Sequence, residues 1–161
     1  MVLARSFAFA SLAIAALAGL SATAALAADP LTTVNVKGNY DDVRTDLQEA
    51  IVKQGLRIDF NGKIGDMLKR TGADVGSTKE VYTNAEYFTF CSSKLSRAMM
   101  EVDAGNVGMC PYVMYLYEAA GKPGEVTIGY RTVPARGDDA SQKALATINT
   151  LLGTILKDAS K

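Results

Sequence analysis

Residues 112–133 read YVMYLYEAAGKPGEVTIGYRTV, and the layout of this stretch decides the fold. Two β-prone runs, 112–118 and 126–133, flank Gly121-Lys122-Pro123-Gly124, where glycine and proline supply the dihedrals of a turn. They predict an antiparallel hairpin. A strict alternation of strands and helices would build a parallel sheet, and a hairpin in the second half of the chain does not fit that plan.

The flanking segments extend the pattern in both directions. Residues 86–91 are aromatic and β-prone, Ser92 or Ser93 can cap a helix, and Leu95, Ala98, Met99 and Val102 recur at helical spacing until Asp103-Ala104-Gly105-Asn106 ends the run. Earlier, residues 32–37 alternate with Val34 and Val36 on one face. Asn39-Tyr40-Asp41-Asp42 then offers caps to a helix striped by Val43, Leu47, Ala50 and Ile51, which stops at Gly55. Leu56, Ile58 and Phe60 alternate with polar residues, which predicts a half-buried strand closed by the turn dipeptide Asn61-Gly62. A short helix is expected over 64–69. The loosest stretch, 72–79, is the best candidate for a mobile loop or a partner-facing surface. At the far end, Asp139 caps a long helix in which Ala144, Leu145, Ile148, Leu151, Leu152, Ile155 and Leu156 form one apolar face, and such a face must lie on something.

About five strands and at least three helices predict an α+β fold, a two-layer sandwich with helices packed on one face of a mixed or antiparallel sheet. A sheet this small leaves an open face or edge, through which a homodimer is expected.

The first 27 residues have the form of a signal peptide. A short positive end with Arg5 precedes an alanine-rich apolar run, and Ala25-Leu26-Ala27 fits the small-x-small cleavage pattern, placing the cut between Ala27 and Ala28. The run is too alanine-rich for a spanning helix, and no cysteine follows it to carry a lipid. A periplasmic or secreted protein is expected, with residues 28–161 as a single domain. The leader removes one basic residue of the 17, against 17 acidic ones, so the remainder is close to neutral. That argues against a nucleic-acid binder, which needs a basic face, and gives no electrostatic reason to hold a membrane after cleavage.

The chain has no histidine and no tryptophan, and two cysteines, Cys91 and Cys110. Without histidine most catalytic and metal-binding constellations cannot be assembled, so the pair is the most pointed chemical feature. Four readings stand. An oxidising compartment and an even count favour a disulfide. That bridge is out of reach if the flanking strands run parallel, and it requires residues 105–109 to bring Cys110 back beside the helix start. A reactive or persulfide thiol is the second reading, since Cys91 would sit at a helix N-terminus that favours thiolate. Cu(I) held by Cys91, Cys110 and Met109 is the third, although Met99 belongs to an apolar stripe. Two reduced, inert cysteines complete the set. Ser92, Pro111 and Tyr112, which flank the pair, are candidate pocket residues, and Tyr112, Tyr115 and Tyr117 straddle both faces of their strand. Asp41, Asp42, Asp138 and Asp139 read as helix caps, and no catalytic residue is assigned.

The run CSSKLSRAMMEVD from Cys91, then GMCPY over 108–112 and an apolar strand ending at Tyr117-Glu118, resembles the core of the DUF302 family over about residues 35–134. In that family a cysteine opens a helix, an acidic residue closes it, and a second cysteine beside a proline begins the next strand. The resemblance implies a small α+β domain whose biochemical role is unassigned. The expected function is a non-enzymatic module binding an unknown small molecule or protein, with a structural cysteine pair and no cofactor. The alternatives are thiol redox, sulfur or Cu(I) handling at the pair, and an oligomeric envelope scaffold.

Overall fold

The computed structural model describes residues 30–161, so the expected signal peptide and its cleavage site lie outside the described residues. Five strands form one sheet: β1 (Leu31–Lys37), β2 (Phe60–Gly62), β3 (Tyr82–Phe90), β4 (Tyr112–Ala119) and β5 (Glu125–Arg131). Their spatial order is β1-β5-β4-β3-β2, and every neighbouring pair runs antiparallel. The hairpin expected from residues 112–133 is the central β4–β5 pair.

Helices α1 (Tyr40–Lys53), α3 (Ser93–Val102) and α4 (Asp139–Ala159) pack together with the sheet, while α2 (Ile64–Thr71) lies against β3. The core forms where these helices meet one sheet face. Phe88 and Phe90 of β3, Tyr112, Met114 and Leu116 of β4, and Val126, Ile128 and Tyr130 of β5 meet Leu47 and Ile51 of α1 and the α4 stripe of Leu145, Ile148, Leu152 and Ile155. Burial explains why α4 is long and continuous: removing such leucines and isoleucines from water contributes roughly 1.5–3 kcal/mol each. Asn39 caps α1 through Asp41 N at 2.8 Å, and Asp138, one residue before the expected Asp139, caps α4 through Ser141 N at 2.9 Å.

The strand expected over 56–60 is a correction. β2 is only Phe60–Gly62: Asp59 still donates one backbone bond to Thr89 O at 2.9 Å, but β3 ends at Phe90 and residues 56–58 have no strand left to pair with. Leu56 and Ile58 still pack against the core from an extended segment. Asn61 and Gly62, read as a turn, lie inside β2. Residues 72–79 form an exposed turn after α2, closed by Ser77 N donating to Gly72 O at 2.8 Å.

Candidate functional site

Cys91 and Cys110 are joined in a disulfide, with their Cα atoms 6.0 Å apart. Antiparallel pairing makes this possible. Phe90 and Tyr112 are direct cross-strand partners, so the chain leaving β3 and the chain entering β4 emerge side by side. The helical excursion between them, α3 followed by a 3-10 turn over Ala104–Met109, returns to its own start. Asn106, fully buried, pins it to α4 by donating to Met99 O and Ser141 Oγ and accepting from Arg136. The disulfide occupies both sulfurs that the thiol and Cu(I) readings require as thiolates. Met109 is half-buried against the core, and Met99 is inside it.

The residues flanking the pair are built into the framework. Ser92 caps α3, its Oγ accepting from Leu95 N at 3.3 Å, and Pro111 is exposed. Tyr112 is 1% exposed, its ring edge-on to Phe90 at 6.1 Å and its hydroxyl 3.0 Å from Ser96 Oγ. Burial raises its pKa, an effect the Ser96 hydrogen bond opposes. The strand parity that sends Tyr112 inward sends Tyr115 and Tyr117 to the opposite face.

That opposite face carries a cavity. A groove of about 690 Å³ crosses it, lined by Tyr82, Tyr87, Tyr115, Tyr117 and Arg131 together with Leu31, Thr33 and Ile64. Two cross-strand pairs flatten its floor. Tyr115 is paired with Gly129 and Tyr87 with Gly62, and in each case the ring occupies the space a Cβ would need; one on Gly129 would fall 2.7 Å from Tyr115 Oη. The Tyr82 and Tyr117 rings stand 5.4 Å apart at 59°. The result is a half-buried aromatic surface with an exposed guanidinium, Arg131, beside it.

On the other side of β3 lies a polar cluster that sequence reasoning missed. Glu86, 3% exposed, accepts four hydrogen bonds. Its Oε1 takes Arg44 Nε at 2.7 Å and Tyr40 Oη at 3.1 Å; its Oε2 takes Lys63 Nζ and Asn61 Nδ2, each at 2.7 Å. Burial alone would raise its pKa, but the Lys63 and Asn61 hydrogen bonds and the Arg44 and Lys63 charges together hold it below the ordinary value. Tyr40 is pushed upward, first by burial and then by the adjacent carboxylate. Strand parity was the available signal: Glu86 shares its face with Phe88 and Phe90, and a glutamate on a core face demands partners.

These elements define a two-layer α+β sandwich with three helices on one sheet face and an aromatic groove on the other. The chain has the DUF302 fold. It superimposes on the crystal structure of an uncharacterized conserved DUF302 protein from Bacillus stearothermophilus with a TM-score of 0.67 at 16% sequence identity, over 82% of this chain and 98% of that one. No family model matches the chain, and no curated protein matches it.

Proposed function

We propose that the chain is an exported, non-enzymatic module of the DUF302 type that binds a small planar aromatic anion on the open face of its sheet, with the Cys91–Cys110 disulfide structural. The observation that carries this reading is the groove itself. Its volume lies in the small-molecule range, and it combines a mostly apolar lining, four tyrosines included, with few charged groups. Tyrosine faces laid flat over glycines stack on a planar ring, and Arg131 supplies the charge for a carboxylate or sulfonate. Glu86 also borders the groove, but its carboxylate is neutralised by Arg44 and Lys63. The lining side chains include no nucleophile with a base beside it, which favours binding over catalysis. Export is supported by the leader-like first 27 residues and by a disulfide suited to an oxidising compartment.

Isothermal titration with 2-naphthoate tests the reading. Saturable binding is expected, about tenfold weaker in Arg131→Gln for loss of a charge-assisted hydrogen bond, weaker again in Tyr117→Ala, and unchanged in the Cys91→Ser/Cys110→Ser double variant. Binding indifferent to Arg131 and Tyr117, or no binding at all, would overturn it.

A further inference from the structure

The Glu86 cluster opens into a second cavity, distinct in chemistry from the groove. It encloses about 320 Å³ and is lined by Tyr40, Asp41, Arg44, Lys63, Asp66 and Asn84, together with Ala85 and Glu86. We infer that this pocket binds a small zwitterion of the α-amino-acid type. The charge arrangement selects that class. Around the buried Glu86 carboxylate two cations, Arg44 and Lys63, converge, leaving one positive charge in excess. Asp41 and Asp66, both exposed, bring two further carboxylates to the lining.

A simple anion entering the pocket meets the attraction of Arg44 and Lys63 but the repulsion of Asp41 and Asp66. A simple cation meets the reverse. A molecule carrying carboxylate and ammonium a few atoms apart satisfies both pairs. The receiving groups are held in place beforehand, which reduces the ordering cost of binding. Arg44 commits Nε to Glu86 and Nη1 to Gln48 at 3.0 Å, with its guanidinium 5.8 Å from the centre of the Phe88 ring. Among the described residues its Nη2 carries no bond, and it is the group offered to an incoming carboxylate. Lys63 Nζ is likewise fixed by one bond to Glu86 and is half-exposed.

The experiment is a heteronuclear NMR titration of the purified protein with L-alanine, in parallel with acetate and methylamine, followed by the variant Asp66→Asn. Asp66 has no part in holding Glu86, so this variant keeps the ion-pair network. Expected are saturable shifts at Asp41, Arg44, Lys63 and Asn84 with L-alanine alone, and about tenfold weaker binding in Asp66→Asn with an unchanged melting temperature. Equal shifts with acetate would make the pocket a plain anion site. Equal shifts with methylamine would make it a cation site. No shift with any probe would leave only a structural ion-pair network. Each of these three results overturns the inference, and none touches the aromatic groove, whose reading rests on Tyr82, Tyr87, Tyr115, Tyr117 and Arg131.

Discussion

Phe90 faces Tyr112 across the β3–β4 ladder with their rings edge to face, and the Cys91–Cys110 bridge closes the same neck immediately beyond them. The neck of the α3 and 3-10 excursion is therefore reinforced by a strand pair, an aromatic pair and a disulfide, while Asn106 fastens its far end to α4. Closing a loop of 19 residues' separation restricts the unfolded chain by about 3 kcal/mol in the chain-entropy model. Replacing both cysteines with serine is expected to lower the melting temperature on the order of 10 °C while leaving groove binding intact. Calorimetry of the double variant checks this, and an unchanged melting temperature would remove the structural role.

Acid stability should report on Glu86. Its folded pKa lies below its ordinary value of 4.5, so the stabilisation is complete above that value and is lost as pH falls through the folded pKa. Urea unfolding between pH 3 and 7 is expected to show a falling midpoint below about pH 4.5. Glu86→Gln should cost about 2 kcal/mol at neutral pH, since Arg44 and Lys63 are partly solvated and lose charge-assisted bonds. The variant should also flatten the acid limb.

Gly129→Ala is expected to damage both stability and binding. An added Cβ would lie 2.6 Å from the Thr32 carbonyl oxygen and 2.7 Å from Tyr115 Oη. The backbone atom cannot step aside and the tyrosine must, so a loss of roughly 1–3 kcal/mol is expected. A weaker affinity for 2-naphthoate should accompany it as Tyr115 lifts from the floor. Chemical denaturation and calorimetry on the same preparation read both effects.

Export makes a separate prediction. Expressed in a bacterial host, the protein recovered from the periplasm should begin at Ala28. Intact-mass measurement with and without reduction reads the start of the chain and the disulfide together, and a cytoplasmic product retaining Met1 would contradict the export reading.

The parts of this structure legible beforehand are those in which one local signal had no competitor. The Gly121–Gly124 turn, the α4 stripe and the α1 stripe each correspond to observed elements, because turn chemistry and a 3.6-residue period are read within a single segment. β2 was misjudged because its length is set by β3, which ends at Phe90; residues 56–58 carry the right alternation but have no partner. The candidate site was harder. Tyr112 and Tyr115 look alike in sequence, and only the placement of the helices makes one core and the other groove. Glu86 reads as the polar half of an alternating strand until parity puts it beside Phe88. Its four donors come from α1, β2 and the residue after β2, a convergence that no spacing along the chain encodes.

The most direct test of the central claim is a map of where an aromatic anion contacts the protein. Backbone NMR shifts during titration of the purified protein with 2-naphthoate should concentrate at Thr33, Tyr82, Tyr87, Tyr115, Tyr117 and Arg131, across four strands of the open face. Perturbation centred instead on Cys91, Ser92 and Cys110, or none at saturating probe, would contradict the groove as the binding site.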